Sequence, residues 1–224
     1  MPKADPYVQE LREERRARDE FMGRDPESPF VSSGVPFHPL RYFPISTRFV
    51  VEARLIRNDR PVEAYLRTNR DGQAVVRYLG DLRFTLGART LALRLFHAGD
   101  GVGTSVFVPF RDGTSGRESY GPGRYLTLEL TEDDRYLLDF NRAINPYCAY
   151  TDVYECSFPP AENDLPVRIP AGEMVWDPDR NPRGPSMAVL ERTREELRRR
   201  AGGRRASEPV PAPPTSRGRP PRRR

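Results

Sequence analysis

Between residues 47 and 140 apolar and polar positions alternate, broken at short intervals by turn-forming residues. Phe49, Val51, Ala53 and Leu55 interleave with Arg48, Glu52 and Arg54, the period of two that a half-buried strand requires. This first strand is predicted over residues 47–56, and others over 62–68, 74–79, 83–86, 90–96, 104–110, 124–130 and 136–140. Asn58-Asp59, the stretch from Asn69 to Gly72, Gly87-Ala88-Arg89 (a three-residue loop) and the stretch from Glu132 to Asp134 supply links of hairpin length. No helical pattern separates the strands, so the fold class predicted is mainly β, an antiparallel meander forming a barrel-like or sandwich domain.

Other periodicities flank this region. Asp5 as N-cap and Pro6 at the first helical position predict an N-terminal helix running to about Met22, stopped by Gly23, Asp25 and Pro26. Its apolar residues Tyr7, Val8, Leu11, Phe21 and Met22 form a patchy stripe, so it is expected to rest on the body through its ends, with a solvated middle. From Ser28 to Pro44, Pro29, Pro36, Pro39 and Pro44 alternate with Phe30, Phe37, Leu40, Tyr42 and Phe43. The prolines argue against a helix and the rings against disorder, which predicts an extended strap across the core. Trp176, the only tryptophan, is expected to seal the end of the barrel.

Composition changes the picture beyond Asp177. Asp177-Pro178-Asp179-Arg180-Asn181-Pro182 reads as a linker, and Ser186 can cap a helix to about Arg200. Residues 207–224 hold six prolines and five arginines, too little apolar surface to fold. The expected organisation is a helix over 1–26, a β-rich domain over 27–176, a linker and basic helix over 177–201, and a disordered Pro/Arg-rich tail over 202–224. Of the net charge of +5, residues 192–224 supply +9, which leaves the rest of the chain mildly acidic. Whole-chain basicity is therefore poor evidence that the folded part binds nucleic acid, and any contact with acidic polymers is expected to be a weak one made by the tail. The longest unbroken apolar run, residues 106–110, is far short of the ~20 residues of a spanning helix. The opening residues lack the apolar stretch of an export signal. A cytoplasmic protein without membrane contact, its two cysteines reduced, is the expectation.

Four polar, turn-rich segments stand out. They are Phe110-Arg111-Asp112-Gly113-Thr114-Ser115-Gly116 with Tyr120-Gly121-Pro122-Gly123-Arg124-Tyr125; the stretch Asp139-Phe140-Asn141-Arg142-Ala143-Ile144-Asn145-Pro146-Tyr147-Cys148-Ala149-Tyr150; Cys156-Ser157-Phe158-Pro159-Pro160-Ala161-Glu162-Asn163; and Ile169-Pro170-Ala171-Gly172-Glu173. In order and spacing they resemble the bacterial and archaeal domain-of-unknown-function family 1684, over roughly residues 18–173. Ser119, Ile144 and Ser157 stand where that family usually has Thr, Tyr and Pro. The resemblance implies one compact domain and the polar cluster, and carries over no activity.

The residue types themselves point to anion recognition. An Asx-turn at Asp112 with Thr114 and Ser115 can converge backbone N–H groups, and Arg111, Arg124 and Arg142 can each give a carboxylate or phosphate a forked pair of donors. Asp112, Asp139, Asn141 and Asn145 can orient those arginines or meet ligand hydroxyls, while Tyr120 supplies an apolar wall with a polar tip. These residues are the candidate site for a small anionic molecule, with Arg124 foremost because Gly123 leaves room beside it. The same arginine, aspartate and asparagine types can equally serve as an internal lattice that pins loops. Two further readings use the same features: a hydrolase- or lyase-like enzyme with Asp112 or Asp139 as base, and a structural or adaptor protein working through its tail. No cofactor and no metal are expected. Cys148 and Cys156 have seven residues between them, the wrong spacing for zinc, and Gly99-Asp100-Gly101-Val102-Gly103 lacks a following GK[ST]. His97 is expected in a loop, satisfied.

Overall fold

The computed structural model describes residues 5–98 and 103–177. The glycine-rich loop before Gly103, most of the linker, the basic helix and the tail therefore lie outside the described residues. Six antiparallel strands make one sheet that curls into a nearly closed barrel: β1 (Val50–Arg67), β2 (Gln73–Leu86), β3 (Arg89–Ala98), β4 (Ser105–Phe110), β5 (Arg124–Glu129) and β6 (Arg135–Asp139). Their order across the sheet is β5-β4-β3-β2-β1-β6. After β6 the chain crosses to the other edge, where Ile144 and Tyr125 of β5 exchange backbone hydrogen bonds of 3.0 and 2.8 Å. That bridge covers part of the β5 edge, which exposed would otherwise template aggregation.

Eight predicted strands become six because two turn signals face each other inside a ladder. Arg57 pairs with Gly80 and Val62 with Tyr78, so Asn58-Asp59 and Leu79 lie in opposed bulges, not in loops. Gly80 is required there: at φ +148° a Cβ would stand 2.2 Å from the Ile56 carbonyl oxygen. The bulges bend the long β1–β2 hairpin. Consequently Leu66, Val76 and Phe96 build a small second core, with Tyr78 and Phe107 against it. Leu93, Leu95, Val106, Val108, Leu82 and Phe84 fill the barrel instead. Leu95 and Phe96 are successive residues, so the two cores lie on opposite faces of β3. The β2–β3 link is a two-residue turn, Gly87-Ala88, since Arg89 already pairs with Leu86.

On the barrel's outer face Arg54 of β1 stands directly opposite Arg83 of β2 and Arg135 of β6. Like charges in facing positions repel. Arg54→Glu converts both pairs to attractive ones and is expected to raise stability by about 0.5 kcal/mol at low salt. Urea denaturation at low and high salt checks this: the gain should shrink at high salt, and a loss at low salt would refute it.

Helix α1 (Pro6–Arg24) starts as the sequence predicts, with the Asp5 carboxylate accepting from Tyr7 N–H at 3.0 Å. Its middle is not merely solvated. Leu11 and Met22 are buried, and between them on the same stripe Arg15, Arg18 and Asp19 reach into the body. The strap also contains a helix, α2 (Pro29–Ser33), capped by Ser28 and ended by Gly34 at φ +69°. Pro29 is compatible with it because the first helical residue needs no N–H partner. Trp176 packs with Phe30, Leu40, Met22 and Tyr150 beside α1, and stacks on His38 at 4.0 Å, apart from the barrel core. His97 lies within β3, buried and bonded through both ring nitrogens to the Ala98 and Gly103 carbonyls.

Candidate functional site

The predicted site residues divide into two groups. The first gathers on Arg124 at the start of β5. Its side chain is fully buried, and its donors go to Asp112 Oδ1 at 3.1 Å and to the carbonyls of Ile169 (3.1 Å), Ala171 and Glu173 (3.2 Å). Phe110 and Phe43 sit 5.2 and 5.8 Å from the guanidinium. Burial lowers its proton affinity, which the neighbouring Asp112 and Glu173 carboxylates oppose. The room expected beside Gly123 is taken: a Cβ there would meet Pro159 at 2.6 Å and the Phe110 carbonyl oxygen at 2.8 Å. Arg124 thus faces the chain's own backbone rather than an opening.

Asp112 is correspondingly occupied. Its carboxylate accepts from Thr114 N–H (3.2 Å), Thr114 Oγ1 (2.9 Å), Ser115 Oγ (3.4 Å) and Ile169 N–H (2.6 Å) in addition to Arg124. The turn's N–H groups are consumed internally, Ser115 N donating to Asp112 O and Gly116 N to Ser119 O. Arg111 pairs its backbone with residues 163–165, and the Tyr120 hydroxyl donates to the Cys148 carbonyl at 3.4 Å.

The second group lies under α1. Asp139 caps the helical turn Phe140–Arg142 through Asn141 N–H at 3.0 Å and accepts the Tyr7 hydroxyl at 2.9 and 3.0 Å. Asn141 exchanges hydrogen bonds with the backbone of Ser46, at 3.0 and 2.9 Å. Arg142 bridges Asp139 to Glu10 (2.7 Å) and Glu14 (2.8 Å) on the helix. Asn145 donates its backbone N–H to Glu173 Oε2 at 2.7 Å and its side chain to the Met174 carbonyl at 2.8 Å.

Four residues outside the predicted set complete the picture: Arg15, Arg18, Tyr42 and Glu173. Glu173 is fully buried, accepts from the Tyr150 hydroxyl at 2.6 Å, and pairs with Arg18. Burial works against the Arg18 charge, yet Glu173 beside it holds the guanidinium protonated. Arg15 lies over the Tyr42 ring at 4.5 Å and donates to the Phe43 carbonyl at 3.0 Å. Among the described residues no carboxylate pairs with Arg15. Burial, reinforced by Glu173, pushes the Tyr42 phenol up, so its hydroxyl keeps its proton. Between α1 and the barrel Arg15, Arg18 and Tyr42 line a cavity of about 220 Å³ together with Leu11, Glu14, Thr127, Asn141, Arg142, Ala143 and Ile144. Three polar atoms of these lining residues, Arg15 Nε, Arg18 Nη2 and the Tyr42 hydroxyl, are buried without a hydrogen-bond partner. One signal pointed here. Leu11, Arg15, Arg18 and Met22 share one helical stripe, with arginines where apolar residues would finish it.

The molecule is therefore a nearly closed β-barrel with a helix laid against it and a polar seam beneath that helix. The chain belongs to the family of proteins of unknown function DUF1684, whose model matches residues 36–174. A solution NMR structure of an uncharacterised protein of Haloarcula marismortui is similar to it, at 32% identity and a TM-score of 0.59 over 75% of this chain and 94% of that one. No curated protein matches. Among the described residues no helix is long and apolar enough to cross a membrane.

Proposed function

We propose that the protein binds a small monoanion, a carboxylate with a short apolar body, in the cavity beneath α1. The observation that carries this reading is that three residues lining one hollow, Arg15, Arg18 and Tyr42, each hold a buried polar atom without a partner. Buried donors left unmade each cost about 1–3 kcal/mol, and an anion would satisfy them together. Charge argues for a single negative charge. Arg18 is balanced by Glu173 and Arg142 by carboxylates, whereas Arg15 meets only carbonyl oxygens and a ring. Size argues for a small ligand, since the hollow would hold about seven waters at ~30 Å³ each. Leu11, Ala143 and Ile144 on the remaining wall suit a few methylene groups.

Butyrate, succinate and inorganic phosphate titrated into the full chain, followed by calorimetry or NMR, test this. Butyrate is expected to bind saturably and more tightly than the two multiply charged anions. Arg15→Ala should weaken butyrate at least tenfold, about 1.4 kcal/mol, with a far smaller change in stability. Saturable binding that survives Arg15→Ala, or no saturable binding of any of the three, would overturn the proposal.

A further inference from the structure

Away from the cavity the two cysteines of the chain meet. Cys148 lies in the helical turn Tyr147–Ala149, and Cys156 ends the loop that follows. The Cys148 backbone N–H donates to the Cys156 sulfur at 3.3 Å. Each residue is held by a different part of the chain. Asn69, in the β1–β2 turn, brackets Cys156: its side-chain oxygen accepts the Cys156 N–H at 2.7 Å, and its own N–H donates to the Cys156 carbonyl at 3.2 Å. The Cys148 carbonyl accepts the Tyr120 hydroxyl at 3.4 Å, and that hydroxyl also lies 3.8 Å from the Cys148 sulfur. The two sulfurs are thus placed together by contacts independent of both.

Their surroundings differ in the way an attacking and a resolving thiol differ. Cys148 is 7% exposed, whereas Cys156 is only half-buried. The Cys148 thiol and backbone N–H beside the Cys156 sulfur lower the Cys156 thiol below its ordinary value against the effect of burial. The neighbouring Cys156, together with burial, raises the Cys148 thiol. A more acidic, accessible thiol beside a shielded second one is the arrangement that favours selective oxidation.

We infer that Cys156 and Cys148 form an oxidisable dithiol, a modification site at which a peroxide converts two thiols into one intramolecular disulfide. The Cys156 thiolate attacks one peroxide oxygen, breaking the O–O bond; the sulfur becomes a sulfenic acid and the departing hydroxide takes a proton to leave as water. The Cys148 sulfur then attacks the Cys156 sulfur, gives up its proton, and expels the second oxygen as water. The pair loses two electrons and the peroxide gains them. The product ties the turn at Tyr147 to the segment that Asn69 holds against the β1–β2 hairpin.

The test uses the full chain, first reduced, then exposed to hydrogen peroxide while folded, alkylated and weighed. Both thiols should disappear together, the mass should fall by that of two hydrogens, and one cross-linked peptide should join Cys148 to Cys156. In Cys148→Ser, Cys156 should stop at a sulfenic acid that dimedone traps. In Cys156→Ser, Cys148 should stay reduced over the same interval. The inference fails if the wild-type thiols persist while folded yet oxidise once unfolded, or if the two react independently at equal rates. The wild-type comparison decides the matter even if neither variant folds.

Discussion

Arg124→Ala is expected to destabilise the protein by about 3–5 kcal/mol, a large share of the ~5–15 kcal/mol that holds a typical domain. The substitution would strand the Asp112 carboxylate, whose side chain has no exposure, without the only cation that pairs with it among the described residues. It would also leave the carbonyls of Ile169 and Ala171 without the donor that Arg124 gives them. Arg124→Lys should recover little, because one ammonium cannot reproduce a planar fork that serves Asp112 and three carbonyls together. Urea denaturation followed by circular dichroism measures the loss. Adding Asp112→Asn to Arg124→Ala should cost much less than the two single losses combined, since the charge stranded by the first change is removed by the second. A cost below about 1 kcal/mol for Arg124→Ala would mean that the clamp is not a main support of the fold.

That result would bear on how much the sequence discloses. Alternation in and after Phe49 revealed the strands, because side chains of a half-buried strand must change face at every residue. Strand length was harder to read. Asn58-Asp59 and Gly80 are turn formers by residue type, and only their opposition across β1 and β2 makes them bulges. Proximity across a sheet is not a local property. The polar segments also announced themselves, and their residues do form dense hydrogen-bonded clusters. Which of them would face a hollow was not legible, since Arg124 and Arg15 are the same residue type in similarly polar surroundings. What separates them is the number of carbonyls and carboxylates delivered by distant segments. Three carbonyls and Asp112 accept from Arg124, whereas Arg15 donates to two carbonyls, those of Phe43 and Asn141, and to no carboxylate among the described residues. Glu173 was visible only as part of Ala171-Gly172-Glu173, and its burial depends on α1 arriving from the other end of the chain.

Glu173→Ala is expected to release α1 from the barrel and to cost about 3 kcal/mol in stability. Two parts of the chain share this one carboxylate: Arg18 comes from α1, and the Tyr150 hydroxyl and the Asn145 N–H come from the stretch after β6. Removing one partner of a buried pair costs about 3–5 kcal/mol; the lower end applies here because the Arg18 side chain is 20% exposed and can turn toward water. The Tyr150 hydroxyl and the Asn145 N–H have no such escape, being buried. Glu173→Gln separates charge from shape, keeping an acceptor for Tyr150 or Asn145 while losing the attraction to Arg18, so it should fall between alanine and the native residue. Amide hydrogen exchange gives the location. Protection should drop along α1 well before it drops in β2 and β3, because the helix loses its buried anchor while the barrel core keeps its own packing. Uniform loss of protection over helix and strands would instead show that α1 and the barrel unfold as one unit, with Glu173 a support of the whole rather than the tether of the helix.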